Sequence, residues 1–165
     1  MTRIYISLGS NIDREANTRA GVAALRAHYG ELLLSSVFES EAVGFEGSSF
    51  YNMVIAADTD EDVHQVVKHL RQIEDDNGRL RSGPRFSSRT LDLDLLLYGD
   101  QVIDEPGLQL PRDEILQRAF VLWPMAEIAH ELKHPQVGKT YGELWEAFDK
   151  SREQLMPIDF DFEQD

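Results

Sequence analysis

Two carboxylates, Asp92 and Asp94, stand two residues apart at the head of an apolar run, and four arginines, Arg79, Arg81, Arg85 and Arg89, precede them. In an extended strand, side chains at i and i+2 share a face, so Asp92 and Asp94 point together while Leu91 and Leu93 point the other way. Carboxylates aimed at one spot repel unless a cation lies between them. A hard divalent ion such as Mg2+ takes oxygen ligands, keeps several waters and is commonly completed by substrate phosphates. Guanidinium groups bind phosphate oxygens bidentately and stay charged at any working pH. The pattern therefore points to a magnesium-bound nucleotide. An Asp-x-Asp pair alone is ordinary strand polarity, and an arginine-rich loop alone is ordinary surface. Adjacency separates this stretch from both, because Leu95, Leu96 and Leu97 make the strand read as buried just beyond its charges.

The elements that must position these groups follow from periodicity. Ile4, Ile6 and Leu8 alternate with Tyr5 and Ser7, a first strand over residues 3–8 stopped by Gly9, Ser10 and Asn11. Val22, Leu25 and Tyr29 predict a helix over 14–29 ended by Gly30. Residues 32–38 and 50–57 read as a second and a third strand, joined by a long polar connector carrying Gly44 and Gly47. Thr59 with Asp62 resembles a helix cap, and Val63, Val66, Val67, Leu70 and Ile73 then mark the apolar face of a helix ending near Gly78. His64 and His69, five apart, lack the i, i+4 spacing of a helical metal pair and read as surface or boundary residues.

Beyond the aspartates, Gly99 and Asp100 turn the chain, a short strand covers 101–103, and a helical stretch opens at Pro111 and breaks before Ala119. Thr140 and Glu143 form a capping box for a last helix through Phe148. Ile158, Phe160 and Phe162 alternate with aspartates, as an edge strand would, in an acidic tail over 151–165. The order strand, helix, strand, strand, helix, strand predicts an α+β, ferredoxin-like fold: a largely antiparallel sheet covered by helices in a three-layer αβα arrangement. A single domain over 1–150 is expected, since 165 residues bury one sizeable core.

Composition excludes several classes. Without cysteine there is no disulfide framework, thiolate metal site or thiol nucleophile. No apolar run is long enough to span a bilayer and no signal peptide is evident, so a monomer of the cytoplasm is expected. A net charge of -14 opposes nucleic-acid binding, and four of the sixteen basic residues concentrate between Arg79 and Arg89. Local charge against the global sign favours a small focused anion.

With these residues in view, the chain resembles the 6-hydroxymethyl-7,8-dihydropterin pyrophosphokinase family over about residues 3–148. The resemblance rests on GRLR followed by RTLDLDLLLYGD within 78–100, on ISLGSN at 6–11, on FYN at 50–52 and on RAFVLWPMAEIA at 118–129. It implies transfer of the β,γ-pyrophosphate of ATP to the pterin hydroxymethyl group, leaving AMP. It also implies that Asp92 and Asp94 hold two Mg2+ ions, that Arg79 and Arg89 clamp phosphates, that Arg81 and Arg85 ride a loop closing over ATP, and that Arg118 sits at the site. Phe50 and Phe120 would sandwich the pterin and Asn52 would read its amide edge, with Ser40 and Val43 supplying backbone hydrogen bonds.

The chain departs from the family pattern in four places. Phe86, Ser87 and Ser88 stand where Trp-Gly-Pro is usual, so Phe86 keeps a stacking surface and loses the indole N–H. Arg112 replaces a histidine near the ATP phosphates and preserves positive charge. Ser40 and Glu41 replace Thr-Pro, and Phe50 replaces a tyrosine. The phosphate machinery is thereby kept, and pterin selectivity is where a difference is expected. Two other readings stand beside this one: a paralogue that binds a pterin or nucleotide without turnover, and an acidic interaction module using the tail.

Overall fold

A computed structural model describes residues 1–40, 49–78, 91–151 and 153–162. Its frame is a six-stranded antiparallel sheet built from β1 (Thr2–Ser10), β2 (Leu33–Leu34), β3 (Val37–Ser40), β4 (Phe50–Thr59), β5 (Asp92–Tyr98) and β8 (Leu155–Ile158), in the order β5-β1-β4-β3-β8 with β2 also paired to β4. The hairpin β6 (Ile103–Glu105) and β7 (Leu108–Leu110) stands apart. This is the α+β arrangement expected from the strand and helix order.

Two helices cover one face. α1 (Arg14–Tyr29) and α2 (Val63–Asp76) bury Val22, Leu25, Val66, Leu70 and Ile73 against Ile4, Ile6, Leu8, Met53, Ile55, Leu93 and Leu95. α1 lies so close that a Cβ on Gly21 would stand 2.8 Å from Leu8 Cδ1 and 3.0 Å from Leu91 Cδ1, so a side chain there would have to displace those leucine methyls. The other face carries α3 (Glu114–Gln117), α4 (Ala119–Ile128) and α5 (Tyr141–Ala147), packed on Tyr5, Val54, Ala56, Leu96 and Leu97. In β1 and β4 each face therefore draws on alternate residues, as the period-two pattern demands, while in β5 Leu96 and Leu97 both fall on the second face.

Local signals explain most element ends. Thr140 and Glu143 form the expected capping box on α5. On α2 the cap is Asp62, which accepts from the Gln65 amide while the Gln65 side chain accepts from the Asp62 N–H. Thr59 instead accepts from the Glu61 N–H. The single strand expected over 32–38 is two short ones: the Ser35 hydroxyl replaces a ladder carbonyl by accepting from Val54 N at 2.8 Å, and Glu127 on α4 binds the Ser36 amide and hydroxyl.

The tail contributes structure as well as charge. β8 pairs with β3 from Val37↔Ile158 to Ser40↔Leu155, and Pro157, which lacks an N–H, sits on this edge strand where it interrupts no interior ladder. Phe160 then meets the Tyr51 ring edge-on at 5.9 Å and lies under the Arg19 guanidinium at 4.9 Å.

Candidate active site

β5 is an edge of the sheet, and its two carboxylates lie at the end where β1 finishes. The register pairs Asp92 with Gly9 and Asp94 with Ser7. Gly9 also pairs with Asn52 on β4, and Asn52 with Phe38 on β3. Directly opposed residues share a face, so Asp92, Gly9, Asn52 and Phe38 form one row across four strands. At about 4.8 Å per strand, the carboxylate and the carboxamide stand about 10 Å apart with a glycine between them.

That glycine keeps the row open. A Cβ on Gly9 would come 3.1 Å from Asn52 Oδ1 and 3.8 Å from the Phe50 ring, so any side chain would intrude between the polar reader and the ring. Asn52 is buried and its orientation is set by Nδ2 donating to Ser40 Oγ at 2.8 Å, which directs Oδ1 over Gly9. Phe50 lies opposite Ser40 in the β3–β4 ladder and shares the Asn52 face. Phe120 is half-buried on α4, packed on the core of that face. Ser40, Phe50, Asn52 and Phe120 thus come to the carboxylate side of the sheet.

The carboxylates repel each other as their spacing predicts. Asp94, 30% exposed, has its pKa pushed up to about 7, first by burial and then by the charge of Asp92. Arg112 opposes this, with Nη2 3.5 Å from Asp94 Oδ1, while its Nε donates to Glu114 at 3.0 Å. The chain brings Arg112 here by a bulge: the β1–β5 register shifts between Tyr5 and Ile6, Leu96 is the extra residue, and its carbonyl accepts from Arg112 N at 3.1 Å. A recess of about 620 Å³, lined by the β6–β7 turn, Arg112 and Glu114, opens beside this pair. Arg118, half-buried, caps α4 on the same side.

Glu74 is a contributor that the sequence reading passed over. It is 4% exposed, and Oε2 accepts from Leu93 N at 2.8 Å, an edge N–H that no strand reaches among the described residues. Its carboxylate pins the backbone between Asp92 and Asp94 and adds to the field on Asp94. The signal was present: Glu74 falls four residues after Leu70 on the apolar stripe of α2. Arg79, Arg81, Arg85, Arg89, Phe86 and Val43 lie outside the described residues.

A same-face pair of carboxylates, the pKa of one raised by burial and by the charge of the other, is a donor set that a divalent cation relieves. Asp92 and Asp94 therefore fit a magnesium site. Such a centre, ten ångströms or so from a slot with one ring and one amide, suits a phosphorylated ligand on one side and a flat polar molecule on the other.

A family model described as 7,8-dihydro-6-hydroxymethylpterin-pyrophosphokinase (HPPK) matches residues 5–130. The chain belongs to this family. Among its relatives, the 2-amino-4-hydroxy-6-hydroxymethyldihydropteridine pyrophosphokinase of Bacillus subtilis is 38% identical over 133 residues, covering 78% of this chain and 79% of the relative. The Pseudomonas aeruginosa protein of the same name is 38% identical over 149 residues, covering 88% and 91%. A solved HPPK-DHPS structure from Plasmodium falciparum superposes with a TM-score of 0.71 at 13% identity, a likeness of fold. The superposition covers 88% of this chain and 43% of that longer one. The Asp92–Asn52 row and Phe120 all fall within the residues that the family model matches.

Proposed function

We propose that this chain transfers the β,γ-pyrophosphate of ATP to the hydroxymethyl group of 6-hydroxymethyl-7,8-dihydropterin, giving AMP and the pterin diphosphate in folate biosynthesis. The observation that carries this reading is the row Asp92, Gly9, Asn52, which sets a carboxylate pair beside an amide-lined slot in a member of the HPPK family. In the reaction the pterin hydroxyl oxygen bonds to the β-phosphorus, the bond from that phosphorus to the AMP oxygen breaks, and the hydroxyl proton passes to solvent.

Asp92 and Asp94 would hold two Mg2+ ions, which when bound neutralise triphosphate charge. Arg112 and Arg118 face the phosphates from the α3–α4 side, and Arg79, Arg81, Arg85 and Arg89 supply the remaining cations. Phe50 and Phe120 stack on the pterin, Asn52 accepts from its amide edge through Oδ1, and Ser40 holds that carboxamide in place. Val43 and Phe86 complete the pterin side. No side chain serves as nucleophile, because positioning and electrostatics supply the acceleration in such transfers. The active unit is a monomer of the cytoplasm. Among the described residues, no helix is long and apolar enough to cross a membrane.

Mixing the chain with ATP, Mg2+ and 6-hydroxymethyl-7,8-dihydropterin is expected to release AMP and pterin diphosphate in equal amounts. An absence of AMP at high enzyme concentration overturns the assignment.

A further inference from the structure

At the opposite end of the sheet from Asp92 and Asp94, three chemistry-bearing side chains converge from three elements. His28 comes from the last turn of α1, Glu61 from the connection between β4 and α2, and His69 from the middle of α2. Their ligating atoms all lie within 4.8 Å of one another. Glu61 Oε2 is 3.0 Å from His28 Nε2 and 2.6 Å from His69 Nδ1, and the two imidazole rings approach to 4.1 Å between centroids. We propose that His28, Glu61 and His69 form a binding site for one borderline divalent cation of the zinc type, remote from the catalytic carboxylates.

Donor chemistry supports this before geometry does. Two imidazoles and one carboxylate are a donor set that zinc accepts with a fourth position left for water, whereas Mg2+ and Ca2+ favour all-oxygen sites. The hydrogen bonding within the cluster is also incomplete. His69 Nδ1 is near Glu61 Oε2 yet badly aligned for a hydrogen bond, and Glu61 Oε1 has no hydrogen-bond partner among the described residues.

A tetrahedral ion at about 2.0–2.1 Å from each donor sets neighbouring donors about 3.4 Å apart, so Glu61 must withdraw by several tenths of an ångström and the two imidazole nitrogens, within 4.8 Å of each other, must settle at the same spacing. His28, Glu61 and His69 are each partly open to solvent, which allows both that movement and entry of the ion. The Glu61 backbone is meanwhile fixed, because its carbonyl accepts from the Tyr98 hydroxyl at 2.6 Å. A bound ion would tie α1 to α2 across the β4 connection. Tyr98 ends the strand that Asp92 begins, which places the two sites about 20 Å apart at about 3.3 Å per residue.

The test is a calorimetric titration of the EDTA-stripped full chain with Zn2+, in excess Mg2+ to saturate the oxygen site, beside the His28→Gln/His69→Gln variant. Wild type is expected to bind one more Zn2+ per chain than the variant, and its melting temperature to rise with Zn2+ while the variant's does not. Co2+ should give the intense visible bands of a four-coordinate ion in wild type only. Glu61→Gln, which keeps the shape of the side chain, should weaken binding at least tenfold while leaving the metal-free melting temperature close to wild type. Equal Zn2+ stoichiometry and affinity in all three proteins, or an octahedral Co2+ spectrum in wild type, overturns the site.

Discussion

Arg112 holds its guanidinium 3.5 Å from Oδ1 of Asp94 and shares it with Glu114, while its own N–H is tied to the Leu96 carbonyl at the bulge in β5. A backbone irregularity two residues past a carboxylate thus delivers that carboxylate's counter-charge. Because Glu114 and solvent take part of the charge, the loss on removal should sit near the low end of a charge-assisted contact, about 1.5 kcal/mol. Arg112→Ala is accordingly expected to lower kcat/KM for ATP about tenfold, and Arg112→Lys less. Steady-state kinetics at fixed pterin check this, and an unchanged value removes Arg112 from the phosphate site.

Asp94 sets a pH dependence whose sign is definite. In the metal-free fold its pKa is up to about 7, against about 3.9 for an unfolded aspartate. Between those values the folded chain holds a proton that the unfolded chain lacks. The associated stability is full below about pH 4 and is lost as pH rises through about 7. Urea denaturation in EDTA should therefore find Asp94→Asn more stable than wild type at pH 8, with the gap closing as pH falls to 5 and below. A gap independent of pH contradicts the shift.

Removing the same carboxylate tests the metal assignment. Asp94→Ala removes a proposed metal ligand at a position 30% exposed and leaves the core intact, so its circular dichroism should match wild type. Turnover should fall by about three orders of magnitude, the several kcal/mol that metal stabilisation of transferring charge supplies. Wild-type turnover in this variant would place the metal elsewhere.

Where the sequence was legible, the cause was local. The α2 stripe, the Thr140–Glu143 box and the shared face of Asp92 and Asp94 each depend on spacing within one element. What escaped depended on register between elements. Gly9 looked like a turn residue because only the β5-β1-β4 pairing sets it between Asp92 and Asn52. The Leu96 bulge has no composition signature in an unbroken leucine run. His69 is the boundary residue its spacing suggests, and its meeting with His28 from α1 and Glu61 from the β4–α2 connection lies beyond any spacing within one helix.

Gly9 makes the proposed pterin slot testable apart from the proposed phosphate site. A valine there drives its methyl groups toward Asn52 Oδ1 and Phe50, an overpacking cost of about 1–3 kcal/mol. Gly9→Val is expected to raise KM for the pterin about tenfold or more while the Kd for Mg-ATP, measured without pterin, stays near wild type. Equal losses for both ligands would mean that the row is one undivided site.

The tail yields the last prediction. β8 covers the outer edge of β3, the strand whose Ser40 orients Asn52, and beyond it Arg19 Nε donates to the Asp161 carbonyl at 2.7 Å while Phe160 packs on Tyr51. Truncation after Gln154 strips those contacts and leaves the β3 edge open, a template for association between chains. Loss of two partly buried phenylalanines alone corresponds to about 2–4 kcal/mol. The truncated chain should unfold at lower urea and aggregate sooner on warming, and at low temperature its KM for the pterin should rise before that for ATP, since β3 supports Asn52 and not the aspartates. An unchanged urea midpoint would show that β8 adds nothing to the sheet in solution.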